Sequence, residues 1–436
     1  MQSRRSFLKM TAALAGLGIL APLNACSSDS GSSAAGSVAD GKVKIEYWHT
    51  NPESRGGKTV DAQVAAFNKQ SKNVEVVTRY NDGYDGLMKN LQADAAAGKT
   101  PDLVQVSYSN IEYFPTTFPY TPADEVAKLA GKDSFITDNF ADNIIKLGSN
   151  NEGKLVGFPY AVSDPILYYN KDVLDSAGIS QAPETWEELQ EAAKTITEKT
   201  GKPSFYLQES DTWALQGLLN CNGGQMLEWK GNKATATLDD AANVKAMQLY
   251  ADMVLKDKTA LHMSNDEGLK AIDAGEVAMY ASSCANLAGI EGAAQFTVGT
   301  AKFPVFEGKQ RELPAGGCVL AVMAQDDSKK KAVMEFISYL FQDENIADWV
   351  KGTGYVAHTK TAPDSEAMKK VLADDPLREA ASSQVDNIVP WTAWPGDSAQ
   401  QVQQLISDMR DQVLGGTKEP AAALQDANDK INELLK

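Results

Sequence analysis

Residues 159–172 read Pro159-Tyr160-Ala161-Val162-Ser163-Asp164-Pro165-Ile166-Leu167-Tyr168-Tyr169-Asn170-Lys171-Asp172, and Pro183-x-Thr185-Trp186 follows. Tyr168 and Tyr169 are neighbours in a strand, where successive side chains point to opposite faces, so at least one belongs to a core. Thr185-Trp186-Glu187-Glu188 is a capping-box pattern, with Leu189, Ala193 and Ile196 on one face of the helix it starts. The same handover from strand to helix runs upstream. Val43, Ile45 and Tyr47 alternate as a first strand; Val60, Val64 and Phe67 have helical spacing; Val74-Glu75-Val76-Val77 is a second strand. Leu87, Leu91 and Ala95 predict a helix ended at Gly98, before a buried strand over Leu103-Val104-Gln105-Val106. This order predicts α/β layers around a largely parallel sheet.

The chain has 436 residues, enough for two or three domains at ~100–200 residues each. No internal repeat and no long Pro-rich linker divides it, so separate lobes would be joined by short strand-like connectors, a hinged arrangement. Hydrophobic residues make up 43% and charged ones 23%, an ordinary globular composition. Lys and Arg number 41 against 58 Asp and Glu, a formal charge of -17. Such a surface repels phosphate backbones and anionic lipid, which excludes nucleic-acid binding through a basic face. Three histidines leave little room for a His-rich metal site.

Residues 1–25 look like an address. Arg4-Arg5 is followed by an apolar stretch from Met10 to Leu23, shorter than the ~20 residues of a membrane span but suited to export. Leu23-Asn24-Ala25-Cys26 resembles a bacterial lipobox, which implies lipidation at Cys26. Residues 26–41 are Ser- and Gly-rich and read as a tether with a reach of about 20 Å. The body is therefore expected outside the cytoplasm, anchored to the cell membrane through Cys26. Once Cys26 is acylated, Cys221, Cys284 and Cys318 remain. A Cys284–Cys318 disulfide and three buried thiols are both open.

Reactive motifs are missing. There is no Walker loop, dinucleotide glycine pattern, C-x-x-C, H-E-x-x-H or G-x-S-x-G. His49, His262 and His358 are far apart in sequence and read as structural. No catalytic residue, cofactor or metal ligand is expected. A glycosidase pair among the many carboxylates is the alternative from another class.

The distinguishing residues are spread along the chain: Trp48-His49, Asp82-Gly83-Tyr84, residues 159–172, Pro183-x-Thr185-Trp186, Ala281-Ser282-Ser283, Ala315-Gly316-Gly317 and Thr353-Gly354-Tyr355. Together they resemble the extracellular solute-binding proteins of ABC uptake systems, in the family 1 class that includes maltodextrin and glycerol-3-phosphate receptors. The resemblance covers essentially all of residues 42–436. It implies a two-lobed α/β periplasmic-binding-protein fold with three inter-lobe crossings, near Ser163, Glu312–Pro314 and Gly354. Lobe 1 would hold 42–162 and 313–353; lobe 2 would hold 163–312 and 354–436. It also implies a monomer that captures a sugar, glycerol-3-phosphate or glycerophosphodiester and passes it to a membrane permease. Ligand contacts implied by matching positions are Tyr84, Ser107, Tyr108, Ser163, Trp213, Ser282, Ser283, Gly316, Gly317 and Tyr355. Trp48 and Trp394, in loop contexts, join that set, whereas Trp186, Trp229 and Trp349 read as packing residues.

One departure stands out. Where the glycerol-3-phosphate group places an arginine late in the chain, this sequence has Pro390-Trp391-Thr392-Ala393-Trp394-Pro395-Gly396-Asp397. A planar fork of donors suits phosphate, whereas indoles suit a sugar face or a cationic headgroup.

Overall fold

A computed structural model describes residues 41–436. Two five-stranded sheets organise the body. The first takes the order β2-β1-β3-β13-β4, with β1 Val43–His49, β2 Val74–Tyr80, β3 Leu103–Ser107, β4 Phe158–Ser163 and β13 Gly316–Val322. The second is β11-β5-β10-β6-β9, with β5 Pro165–Asn170, β6 Phe205–Leu207, β9 Ala260–Leu261, β10 Met279–Ser283 and β11 Val298–Lys302. Two small ladders complete the set: β7 Leu227–Lys230 with β8 Lys233–Ala236, and β12 Leu313–Pro314 with β14 Ile388–Val389.

The predicted elements form where the pattern placed them. Helix Lys58–Gln70 buries Val60, Val64 and Phe67, and helix Gly83–Ala96 buries Leu87 and Leu91. Thr185 and Glu188 exchange the two hydrogen bonds of a capping box at the start of helix Trp186–Thr200, satisfying N–H groups that helix geometry leaves unpaired. Tyr168 is buried and Tyr169 half-buried, as opposite faces of one strand require.

The sheets are mixed rather than largely parallel. β1 pairs with β2 and β3 in parallel, but β13 runs antiparallel to both β3 and β4. The path of the chain explains the difference. β3 and β4 run towards the second sheet, whereas β13 arrives from it, so Gly316 at its start stands opposite Ser163 at the end of β4. β5 likewise begins at Pro165, opposite Ser283 at the end of β10. The carboxyl ends of β3, β4 and β10 and the amino ends of β5 and β13 thus converge on the space between the sheets, where open α/β folds place their ligands. All seven residues of β13 are buried, which is why it reads as an unbroken apolar run.

The lobe boundary expected at Gly354 falls later in the chain. Val356 N donates to Val162 O at 2.9 Å, Lys360 N to Asn139 O at 2.8 Å, and His358 stacks on Phe140. Residues 355–361 therefore pack with the first sheet. The chain reaches the second layer further on, where helices Ala399–Leu414 and Pro420–Leu434 bury Val402, Ile406, Leu424 and Ile431 in its core.

Three buried cysteines are all free, so the Cys284–Cys318 pairing is not formed. Cys284 follows β10 and Cys318 lies inside β13, in different sheets. Burial pushes the Cys318 and Cys221 thiols up to about 12, so neither is ionised near neutrality. Among the described residues no helix is long and apolar enough to cross a membrane. Cys26 and residues 27–40 of the expected tether lie outside the described residues.

Candidate functional site

The space between the sheets starts at the end of β1. Gln105, in β3, accepts from Thr50 N at 3.0 Å and from its hydroxyl at 3.1 Å. It donates to Tyr47 Oη at 2.7 Å and to Asn51 Oδ1 at 2.9 Å. A buried glutamine with both ends satisfied is an orienting group; here it fixes the loop that leaves β1.

Opposite that loop, Ser163, Gly316 and Trp213 meet. A Cβ built on Gly316 would stand 2.4 Å from Ser163 Oγ and 3.1 Å from Trp213 Cζ2, so only a hydrogen leaves room for both. The indole is held from behind, since Trp213 Nε1 donates to Pro314 O at 3.0 Å. Tyr355 stacks on Trp349 at 5.5 Å with 6° between planes. The Tyr84 hydroxyl lies beside Cys318, Thr50 and Tyr355; burial first, then Cys318 and Tyr355, raises its pKa well above the ordinary value. Tyr84 of the first lobe thus meets Tyr355 beside Cys318, and burial, then Cys318 and Tyr355, raises the Tyr108 hydroxyl as well. All three phenols stay neutral near pH 7 and can donate or accept hydrogen bonds.

A cavity of about 580 Å³ opens beside Tyr108. Tyr108, Glu112 and Lys146 line it from the first lobe; Gln216, Trp229 and Trp391 line it from the other side. Gln216 pins that wall, accepting from Thr392 N at 2.9 Å and donating to Pro390 O at 3.1 Å. Trp391 thereby meets the Trp213 ring edge-on at 6.5 Å. Asn151 Nδ2 donates to Gly231 O at 3.2 Å, a hydrogen bond from the first lobe to the β7–β8 hairpin. Volume, aromatic walls and a few polar groups match what a small-molecule cleft requires.

The remaining expected residues divide. Ser282 is fully buried: its hydroxyl bonds Gln208 and accepts from Asn286 at 2.7 Å. Ser283 accepts from Ala285 N at 3.2 Å, while Tyr168 donates to Ser283 O at 2.8 Å. Ser107 bonds Ser109 at the turn that aims Tyr108. Gly317 lies against Ala161 O, its φ of +106° in a region that favours glycine. Trp48 and Trp394 are placed otherwise than expected. Trp48 is buried with Arg79 4.0 Å above its ring and its Nε1 donating to Glu46 at 2.7 Å. Trp394 is wholly enclosed in the second-lobe core. Trp229, expected to pack, lines the cavity instead.

Trp391, not Trp394, is the indole of its stretch that meets the cavity. The two share one loop and carry the same local pattern; only Gln216, 174 residues away from Pro390, decides which faces the cavity. The histidines are structural. His49 packs between Tyr47 and Tyr80. His358, pushed down to about 4 by burial, bonds Pro159 O at 3.0 Å. His262 bonds Glu209 at 2.8 Å, which raises its pKa. Asp411 stands beside that pair, but Arg410 already supplies the positive charge, 2.9 Å from Asp411 and 3.7 Å from Glu209.

Residues 62–380 match the model of the bacterial extracellular solute-binding proteins. The sn-glycerol-3-phosphate-binding periplasmic protein UgpB of Escherichia coli K12 is 27% identical over 420 residues, covering 91% of this chain and 94% of that protein. Among solved structures, UgpB of Mycobacterium tuberculosis in complex with glycerophosphocholine superposes with a TM-score of 0.78 at 22% identity, over 90% of this chain and 98% of that one. The cyclic alpha-maltosyl-1,6-maltose binding protein of Arthrobacter globiformis superposes with a TM-score of 0.77 at 22% identity, over 91% and 100%.

Proposed function

The chain belongs to the bacterial extracellular solute-binding protein family, and on that footing we propose that it is the receptor of an ABC importer that captures its solute between the two sheets and delivers it to a membrane permease. The solute classes that fit are a sugar, glycerol-3-phosphate or a glycerophosphodiester, the chemistries named for its relatives. The observation that carries the reading is that Trp391 faces Tyr108 across a cavity walled by both lobes, with the Trp213 ring edge-on against Trp391.

Indole faces cover the apolar C–H patches of such a solute, while tyrosine hydroxyls and amides satisfy its oxygens, each costly to bury unpaired. A solute that touches both lobes binds the closed form better than the open one, and that difference drives closure. We place the anchor at an acylated Cys26, which keeps the receptor near its permease and raises its effective concentration there. Cys26→Ala then frees the protein from the membrane fraction; continued attachment contradicts the anchor.

Thermal-shift screening against neutral oligosaccharides, glycerol-3-phosphate and glycerophosphodiesters tests the function. One class should raise the melting temperature and change tryptophan fluorescence in stoichiometric binding without product. Turnover of a chromogenic glycoside would instead support the hydrolase alternative.

A further inference from the structure

We propose that Arg55, on the turn after β1, is the anion-recognising residue of the cleft, so that the solute carries a phosphate or a carboxylate. The inference rests on the receptor reading and assigns the charge of its ligand.

The turn is built to hold a fixed position. Gln105 clamps Thr50 and Asn51, and Asn51 Nδ2 donates to Arg55 O at 3.3 Å. Arg55 N and Gly57 N both donate to Pro52 O at 2.9 Å. Gly56 has φ +84°, and a Cβ there would stand 2.7 Å from Thr353 Cγ2 and 3.6 Å from Trp349. The turn therefore rests on the helix whose Trp349 carries Tyr355. It also packs against helix Leu287–Ala293, which comes after β10 in the second lobe. Arg55 thus stands where first-lobe and second-lobe elements meet.

Its charge is uncommitted. Of the five arginines described, Arg79, Arg378 and Arg410 each have a carboxylate within 4 Å, and Arg311 donates to Phe303 O at 2.8 Å. Arg55 has neither a carboxylate within 4 Å nor a hydrogen-bond acceptor for its guanidinium among the described residues. Burial raises the Tyr280 and Tyr355 hydroxyls, and the Arg55 charge draws both back, so it is felt by tyrosines of both lobes. The Tyr280 hydroxyl is buried with no partner in hydrogen-bonding geometry. Lys146, the cation on the cavity wall, shares that wall with Glu112 and Glu312. A guanidinium fork also matches a carboxylate or phosphate better than an ammonium does.

Calorimetry on the full-length receptor, with Arg55→Ala, Arg55→Lys and Lys146→Ala beside the parent, decides it. The probes are glycerol-3-phosphate, glycerophosphocholine, a hexuronate and neutral maltotriose. We expect one anionic probe to bind, Arg55→Ala to weaken it at least ~10-fold, Arg55→Lys to restore part of that loss, and Lys146→Ala to weaken it less than Arg55→Ala does. The phosphate probes and the hexuronate separate the two sources of negative charge. Unchanged affinity in Arg55→Ala, a loss that tracks Lys146, or binding of maltotriose alone would overturn the assignment and leave the receptor standing. No binding by parent or variants across the panel would overturn the receptor reading itself, and the assignment with it. Melting temperatures of the unliganded variants within ~2 °C of the parent show that the fold is intact.

Discussion

Asp164 and Gln384 share a fully buried hydrogen bond, Gln384 Nε2 to Asp164 Oδ2 at 2.8 Å, at the residue where the chain leaves the first sheet. The other carboxyl oxygen has no partner in hydrogen-bonding geometry, and Cys284 N donates to the Asp164 carbonyl at 3.0 Å. Burial pushes this carboxyl up to about 7, although the Gln384 amide and the neighbouring Cys284 favour ionisation. A proton is therefore held at the junction between the lobes.

Stability should track that proton. Unfolded, the aspartate ionises near its ordinary value of 3.8; folded, it stays protonated to about 7. The folded state binds more protons across that window, so the contribution is complete below the lower value and lost as pH rises to the upper one. The span corresponds to as much as ~4 kcal/mol. Asp164→Asn, which still accepts from Gln384, should remove the decline and be more stable than the parent at pH 8. Denaturant unfolding at pH 5 and pH 8 measures this; identical pH slopes for both proteins would refute it.

The two late tryptophans should separate cleanly. Trp391→Ala should weaken solute binding at least ~10-fold with the unliganded melting point shifted little, because its ring faces a cavity. Trp394→Ala empties a core position and should cost about 3–5 kcal/mol. Titration calorimetry and chemical unfolding on both variants test the division. A stability loss at Trp391 equal to that at Trp394 would place both in the core.

Glycines at the junction should respond by position. Gly317→Ala would put a Cβ 2.0 Å from Ala161 O at φ +106°, and we expect a loss above ~2 kcal/mol. Gly289 in helix Leu287–Ala293 has nothing within 4 Å of its would-be Cβ, so Gly289→Ala should gain roughly 0.5–1 kcal/mol. Unfolding curves that move the same way in both would contradict this account.

Solute should also change the spacing of the lobes. Trp213 Nε1 bonds Pro314 O beside Gly316, so Trp213→Ala removes both the ring packed against Trp391 and a brace of the connector. Affinity should fall at least ~10-fold. Small-angle scattering of the parent should report a more compact particle at saturation; superimposable profiles despite measured binding would dismiss closure.

Periodicity carried the first strand and the helices that follow the first two, because each buries one face and a buried face leaves a period in the sequence, while Leu103–Ser107, buried throughout, was legible as a short apolar run. The direction of β13 left no such mark: Gly316–Val322 is apolar throughout, and its sense depends on arriving from the other sheet. Residues 355–361 likewise look like any short connector until Val162 O and Asn139 O accept their N–H groups. Within the site, Tyr108, Trp213 and Gly316 stood at recognisable motif positions. Trp391 and Arg55 did not, since distant partners hold them: Gln216 for one, Gln105 through Asn51 for the other.

The place of β13 bears on how the protein is made. It lies between β3 and β4, yet it is synthesised after every strand of the second sheet. A nascent chain that stops at residue 312 owns β3 and β4 with bare inner edges, each an invitation to pair with a stranger. A gene cut short there would thus yield a sticky fragment, not a smaller receptor.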